Sequence, residues 1–520
     1  MKLNYKRTIL VGFAFFLIST FWQAYDATIA LTLTNKFGMS QTWSGVIMAL
    51  DNILALFLLP LFGTLSDKHK GKSGRRTPFI RLGTIIAAIA LVALSFADNM
   101  QLNMIGSVGT VDDPAALEVI YDTQADKELQ TPSGTKFVLS DTFSREEFVQ
   151  IRSADDSTDV TNKDESQTPY TSYVVPARQA YAAQMTKENP APLFLFIGIL
   201  LILLLAMGIF RSPAVALMPD VTLKPLRSKA NAIINLMGAA GGIIVLVLGM
   251  GFAFGISSTK NALMSYTPYY ITIAALMIVA LVIFLTTVKE SQWVAQMQSD
   301  AIRYNISEEK EEAKGERKLS KSEKTSLICI LLSVALWYFG YNAVTSKYSV
   351  YAPNVLLMGY SETMLIAQAC AIVSYLPAGM VASKIGRKKT ILAGVVMLSA
   401  AFTVASFMRA GSPAWLMYIM FALAGIAWAT INVNSFPMVV EMCSGSDVGK
   451  YTGFYYTASM AAQTATPMLS GLLMDKLGMT ALFPYAAIFV ALAFITMLLT
   501  KHGDSKIESK KGLEAFDIDD

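Results

Sequence analysis

Three ionisable residues stand inside long apolar stretches of this 520-residue chain: Asp26, Asp51 and Arg211. A charge at the centre of a membrane-spanning helix costs ~2.5–3.5 kcal/mol on the insertion scale, so each one that is kept asks for a reason. A carboxylate placed there can carry a proton, because desolvation favours its neutral form, or can hold Na⁺ as an anion. The two histidines, His69 and His502, lie outside the apolar stretches. An imidazole relay is therefore excluded, and Asp26 or Asp51 is the candidate coupling group. Arg211 can neutralise Asp51 after deprotonation, or offer its fork of donors to ligand hydroxyls. The competing readings are an aspartate bonded only to neighbouring helices and an arginine that snorkels to the interface. Lys260, Lys347 and Arg409 fall at expected helix ends and need no function. Cys329, Cys370 and Cys443 are too few and too scattered for a zinc site or a disulfide framework, and no cofactor or metal is expected.

The elements that position these groups follow from composition. Hydrophobic residues make up 54% and charged residues 15% of the chain, against about 25% charged in soluble proteins, which excludes a soluble enzyme. The net charge of +4 gives no reason to expect a nucleic-acid partner. Apolar runs predict twelve helices near residues 8–34, 42–65, 81–97, 191–217, 230–255, 265–288, 325–346, 361–383, 388–408, 413–438, 452–474 and 479–500. The first is too long for a signal-peptide core and stays as a membrane helix. Asp26 lies ~18 residues into the first helix and Asp51 ~9 residues into the second, which at 1.5 Å per residue brings them to similar depth. Basic residues crowd the even connections: Lys68, Lys70, Lys72, Arg75 and Arg76, then Lys224, Arg227 and Lys229, then Lys384, Arg387, Lys388 and Lys389. Those connections face the cytoplasm, and both termini lie inside a multi-pass plasma-membrane protein.

The expected division is residues 1–97 (helices 1–3), 98–190 (an inserted extracellular segment), 191–288 (helices 4–6), 289–324 (a cytoplasmic linker), 325–500 (helices 7–12) and 501–520 (a tail). The linker carries the mixed-sign run Glu308-Glu309-Lys310-Glu311-Glu312 and reads as solvated helix. Residues 98–190 read as a small α+β domain. Thr135 to Leu139 and Ser172 to Val175 have strand composition, Ser144 and Glu147 form a capping box, and 153–168 is flexible. The competing reading is disorder, because the segment is poor in large apolar residues.

The halves repeat each other. Ala24-Tyr25-Asp26-Ala27 follows Trp22, and Gly340-Tyr341-Asn342-Ala343 follows Trp337, which makes Asp26 and Asn342 counterparts. Gly63-Thr64-Leu65-Ser66-Asp67-Lys68 with Gly74-Arg75-Arg76 matches Gly379-Met380-Val381-Ala382-Ser383-Lys384 with Gly386-Arg387-Lys388, and Pro219-Asp220 matches Pro437 with Glu441. Such parallel repeats are expected of transporters.

Gly-x-x-x-Asp-Lys followed by Gly-Arg-Arg between helices two and three resembles the signature loop of the major facilitator superfamily. Ala49-Leu50-Asp51-Asn52-Ile53-Leu54-Ala55-Leu56-Phe57, running through Pro60 and Gly63 to Ser66-Asp67, then Gly74-Arg75-Arg76-Thr77-Pro78-Phe79-Ile80, is similar to the branch of sucrose and other disaccharide proton symporters, near the glycoside–pentoside–hexuronide:cation symporters. So is Ala216-Leu217-Met218-Pro219-Asp220 with Ala230-Asn231-Ala232 and Asn235-Leu236-Met237-Gly238. The likeness spans the membrane portion and leaves out residues 98–190. Plant sucrose carriers place an arginine just after the fourth-helix proline, whereas here Arg211 precedes Pro213, so that role is not carried over.

The resemblance implies an all-α membrane protein of twelve transmembrane helices in two pseudo-symmetric six-helix bundles, to which the residues themselves add the α+β insertion between helices 3 and 4. It implies a monomer working by alternating access on a small-molecule substrate, a sugar or glycoside, with H⁺ or Na⁺. A sugar site needs amides, hydroxyls and an aromatic face. The helices that line the cavity in that fold offer Trp22, Gln23, Tyr25, Asn52, Trp337, Tyr341, Asn342, Gln368, Asn432, Asn434 and Gln463. Any one aromatic residue among these reads equally as packing or as an interfacial belt. Asp67, Arg75, Arg76 and Asp220 are expected to form a cytoplasmic ion-pair gate, with Lys384, Arg387 and Glu441 as the analogous set; basic residues that only enforce topology are the alternative. Gly238 to Gly242 allow close approach and bending in the fifth helix. The rivals are a drug or metabolite antiporter on the same fold and, from a different class, a polytopic enzyme or a sensor with residues 98–190 as receptor. The absence of a catalytic motif weighs against the enzyme, and the paired gating loops against the sensor.

Overall fold

The computed structural model describes residues 3–71, 73–153, 169–223, 226–252, 263–304, 319–442 and 448–504. Among the described residues there are twelve long helices: α1 (Tyr5–Leu31), α2 (Gln41–Lys68), α3 (Thr77–Ile105), α4 (Ala191–Val221), α5 (Arg227–Gly251), α6 (Thr267–Thr287), α7 (Lys321–Tyr351), α8 (Tyr360–Ile385), α9 (Arg387–Ala405), α10 (Ala414–Val440), α11 (Val448–Leu477) and α12 (Leu482–Leu499). Ten are long and apolar enough to cross a membrane, and α8, bent around Pro377, joins them as a broken span. The twelfth, α11, is 30 residues long and ends on the polar pair Asp475 and Lys476. The molecule is a multi-pass membrane protein.

Each half packs around its own core. In the first, α1 lies on α5 and α3 on α4, and Phe21, Leu94, Phe210 and Phe284 are fully buried. In the second, α8 and α9 pack on α10 and α7 packs on α12, around Val334, Ile391, Phe483 and Val490. The halves meet along α2 with α11, α5 with α8, and α1 with α7.

Two helices outrun their expected ends. Helix α3 continues to Ile105, and α7 continues to Tyr351. Lys347 is therefore no helix-end lysine: it is fully buried in the last turns of α7, and its Nζ donates to the Gln41 carbonyl of the other half at 2.6 Å. Lys36 and Asp98, both at expected loop positions, form a fully buried ion pair of 2.6 Å. The ammonium also donates to Met264 O and lies 3.5 Å from the centre of the Tyr266 ring, so α1, α3 and the start of α6 are tied at one end of the first half.

The segment between α3 and α4 has a core of its own, with Leu117, Ile120, Leu139, Phe148, Tyr170 and Val174 buried. A helix at Pro114–Gln124 leads into an antiparallel hairpin of β1 (Glu128–Gln130) and β2 (Lys136–Val138), with Leu129 opposite Phe137. Ser144 and Glu147 form the capping box of a helix at Arg145–Gln150. The strand expected at 172–175 is instead helical: a π-turn at Tyr170–Val174 runs into a helix at Val175–Glu188, with Pro176 in its first turn. Strand-like composition misleads there, because a proline in the first helical turn is preorganised for helix. The hairpin turn reaches the other half: Gly134 lies against Leu477 and Gly478, and Thr480 N donates to Pro132 O at 3.4 Å. In the connection after α6, a helix covers Glu290–Arg303. Of the flexible stretch expected at 153–168, all but Ser153 lies outside the described residues, as do the run 308–312 and the tail beyond 504.

Candidate functional site

Between the halves lies a cavity of about 990 Å³, walled by both bundles. It extends toward the end of the molecule that carries the termini, reaching Phe15, Pro219 and Tyr456, and stops short of the crossing of α2 and α11 at Gln41 and Asp475. From the first half come Ser19, Gln23 and Asp26 on α1, Asn52 on α2, Arg211 and Ser212 on α4 and Asn235 on α5. From the second come Tyr338, Tyr341 and Thr345 on α7, Gln368 and Tyr375 on α8, Trp428 and Asn432 on α10, and Tyr456, Ser459 and Gln463 on α11.

The first half contributes the charge. Asp26 reaches the cavity, and no hydrogen bond to its side chain occurs among the described residues. Asp51 lies behind the wall, where its Oδ1 accepts from Asn52 N at 2.6 Å and Asn52 Nδ2 at 2.8 Å, while Asn52 itself lines the cavity. The aspartate remains within electrostatic range of Asp26 and Arg211. The Arg211 guanidinium lies 5.6 Å from the centre of the Trp22 ring, a cation–π contact that holds the charge at the cavity wall. Asp51 and Arg211 do not form an ion pair within 4 Å; any neutralisation acts across a gap.

The second half contributes hydrogen-bonding groups and an aromatic face. Tyr341 and Trp428 stack with ring centres 3.6 Å apart and planes within 7°. Gln368, Asn432 and Gln463 line the cavity, and among the described residues none of the three side chains makes a hydrogen bond within the protein. Gln23 faces them from α1 and donates to the Tyr360 hydroxyl at 3.0 Å.

Several expected wall residues are elsewhere. Trp337 is 1% exposed in the core of the second half, one position and so about 100° away from the face formed by Tyr338, Tyr341 and Thr345. Tyr25 is buried beside Phe21 and Trp22, and Trp22 packs partly buried beneath Arg211 rather than lining the wall. Asn434 is buried and spends its amide on Thr430 O of its own helix. The Asn342 side chain lies off the wall, its Nδ2 buried without a partner, so the pairing of Asp26 with Asn342 does not place both on the cavity. The sequence signal for the missed residues was helical spacing: Ser19, Gln23 and Asp26 at i, i+4 and i+7, and Trp428 with Asn432 at i and i+4, each share one face.

At the termini end, Arg76 pairs with Asp67 and with Asp220 at 2.8 Å, and Arg75 pairs with Asp220 at 2.5 Å. The hydrogen bond to Asp220 raises the Arg75 guanidinium above its ordinary pKa. The sequence reading missed Glu290, which is buried and accepts from the amides of Arg75, Arg76 and Thr77 and from the Thr77 hydroxyl, all at 2.7–2.8 Å. It satisfies the donors left open at the start of α3. Gly74 has φ of +104°, and a Cβ there would overlap the Glu290 carboxylate, so glycine is required both for the turn and for the approach. In the second half, Arg387 pairs with Glu441, and Asp504 accepts from Arg387 N at 2.6 Å. Lys384 makes no ion pair with a described residue: it belongs to the α8 end but not to this network.

Residues 179–375 and 363–517 match the profile described as Major Facilitator Superfamily. The chain belongs to that superfamily. Within it, residues 10–107 match a second profile described as MFS/sugar transport protein. Among curated superfamily relatives, the MFS-type transporter ppzB of Metarhizium rileyi is 28% identical over 162 residues, 31% of this chain and 33% of that protein. The sucrose transport protein SUC4 of Arabidopsis thaliana is 29% identical over 80 residues, 15% of this chain and 16% of that protein. These matches span a third or less of the relatives' length. Among solved structures, the inward open conformation of the xylose transporter XylE from E. coli superposes over 97% of this chain and 98% of that one, with TM-score 0.58 and 14% identity. A POT family transporter in complex with 5-aminolevulinic acid covers 94% of each chain, with TM-score 0.57 and 10% identity. At such identities the likeness is one of fold: the chain has the two-bundle architecture of the superfamily.

Proposed function

We propose that this superfamily member is a secondary active symporter that carries a sugar or glycoside, such as a disaccharide, by alternating access, with H⁺ as the coupling ion and Na⁺ as the alternative. One observation carries the reading: a carboxylate without a protein partner, Asp26, shares a cavity with three unpaired amides and a stacked Tyr–Trp pair. Unpaired buried polar groups are costly, and a ligand rich in hydroxyls satisfies them. The ring pair supplies the apolar face that a pyranose presents its C–H side to. The match of residues 10–107 to a sugar transport profile and the short match to a sucrose transport protein support the substrate class.

In this reading, Asp26 takes the coupling ion, Arg211 biases its release and Asp51 tunes both from behind the wall. A ligand shifts a conformational equilibrium only by its differential affinity, so coupling requires that cation and sugar favour the same exchange. The protein sits in the plasma membrane as a monomer with both termini in the cytoplasm and residues 98–190 outside. The six divisions of the chain set out from the sequence are the units we assign to it, with the first boundary moved to the end of α3 at Ile105 and the linker ending at Ser320.

The test is uptake of a labelled sugar panel into vesicles, with and without a protonophore and Na⁺, for wild type, Asp26→Asn and Asp51→Asn. Wild type is expected to accumulate a glycoside under a proton gradient. Asp26→Asn is expected to lose accumulation while keeping exchange, and Asp51→Asn to lose less. If no glycoside accumulates under either gradient, the symporter reading fails; export driven by an inward proton gradient would make it an antiporter. Unimpaired accumulation in both variants removes the aspartates from coupling.

A further inference from the structure

The end of the molecule opposite the cavity mouth is closed by residues to which the sequence assigns no function. Helix α2 begins at Gln41, and the first amides of any helix lack partners within it. Ser40 caps Trp43 N, and the amides of Gln41 and Thr42 donate to the carboxylate of Asp475, at 2.7 and 2.8 Å. The Thr42 hydroxyl donates to the same carboxylate at 2.5 Å. Asp475 belongs to the last turn of α11, in the other half. The positive end of the α2 dipole thus meets an anion from across the seam. From α7, also in the second half, buried Lys347 donates to Gln41 O at 2.6 Å. The first residue of α2 is therefore held at both its donor and its acceptor by the opposite bundle.

The backbones beneath this contact touch. A Cβ on Gly45 would overlap Pro467 O, and one on Gly471 would overlap Gln41 O, so α2 and α11 cross at the distance small residues permit. The sequence around the contact, Gly471-Leu472-Leu473-Met474-Asp475-Lys476, has the spacing of Gly63-Thr64-Leu65-Ser66-Asp67-Lys68. Both place a glycine for close approach and a carboxylate one turn further on. At the termini end that carboxylate serves Arg76 of its own half; at this end it serves the other half. Two residues beyond Asp475, the hairpin turn of the inserted segment seats on Leu477 and Gly478 and extends the same seam.

We propose that Asp475, supported by Lys347, is the latch that holds this end of the transporter shut, and that its release from the start of α2 is the step that admits the substrate from this side. The proposal rests on the alternating-access reading. Such a latch can open in every cycle, because the desolvation borne by buried Lys347, and in part by half-buried Asp475, is recovered as they regain water, offsetting much of the lost bonding. Asp475 is a positioning residue: it touches no substrate and acts through α2.

The test is a distance measurement by pulsed electron spin resonance on the full chain in lipid. Spin labels go at Phe96→Cys on α3 and Phe407→Cys beyond α9, both exposed, with the native cysteines replaced. The closed form gives one short distance population. Asp475→Ala is expected to raise a longer population by about tenfold, with a cooperative unfolding transition retained, and Asp475→Asn, which keeps an acceptor oxygen, to restore most of the short one. If Asp475→Ala does not fold, Thr42→Val and Asp475→Asn replace it, each shifting the distribution in the same direction by less. An unchanged distribution in the folded variants overturns the latch. Failure of the wild type to accumulate any sugar would overturn the substrate reading and leave this measurement intact.

Discussion

The two halves carry the same loop motif and use it differently. In the first, Arg76 has a side chain 5% exposed, pairs with two carboxylates and also donates to Ser66 Oγ, while Arg75 adds a second claim on Asp220. In the second, the ion pair between described residues is Arg387 with Glu441, with side chains 12% and 24% exposed. The cap that follows each sixth helix differs in the same sense, since buried Glu290 takes four hydrogen bonds where exposed Asp504 takes two from the start of α9. Sequence repetition between halves therefore preserves the parts and not their load. In the first half the Arg76–Asp220 pair is shielded from water, with side chains 5% and 12% exposed, while Asp67 and Arg75 form its exposed rim; the second-half pair lies somewhat nearer solvent, where a lost pair is partly replaced by hydration.

Substituting the arginines gives the largest contrast. Arg76→Ala leaves Asp220 and Ser66 short of a donor and is expected to cost about 3–5 kcal/mol, against about 1.5–3 kcal/mol for Arg387→Ala, read as unfolding in mixed micelles titrated with denaturing detergent. Equal losses would mean that burial does not set the difference. A smaller effect is expected from the caps: Glu290→Gln removes an anion from a buried helix start and costs about 1–2 kcal/mol. Asp504→Asn, exposed, costs a few tenths. Uptake at matched protein amounts should fall in the first of these and hold in the second. The smallest effect belongs to Lys384→Ala, for which neither stability nor uptake changes, because no described residue pairs with the ammonium; a loss of uptake would return Lys384 to the gate.

The helices and the two loop networks were legible in the sequence because both depend on local signals. A run of apolar residues fixes most spans within a turn or so, α3 excepted, which runs on from 97 to Ile105, and Gly-x-x-x-Asp-Lys followed by Gly-Arg-Arg puts its charges within reach of one another without further information. The cavity was legible only in part. Asp26, Gln23, Tyr341, Gln368, Asn432 and Gln463 line it, whereas Trp337 and Asn434 turn away, and nothing in composition distinguishes Trp337 from Tyr338 beside it. That choice is made by rotation of α7 about its axis, which packing against α12 decides. Glu290, Asp504 and Asp475 escaped for another reason: each finds its partners on an element more than 100 positions away in the chain, at backbone amides that no residue type marks. The helix at 175–188 escaped because a short run of strand-like composition reads as a strand until the proline is given its weight.

Glu290 and Asp504 have a mechanical consequence. Each reaches back from beyond the sixth helix of its half to the start of the third, so each half is a ring closed by a non-covalent clasp rather than a row of helices with a free end. Strain applied to one member of a ring is shared among all of them, and little is left for any one helix to bend alone. The compliant coordinate is then the seam between the rings. Opening either clasp should loosen the interior of one bundle, visible as faster amide exchange along α3 or α9, and leave the crossing of α2 with α11 as tight as before.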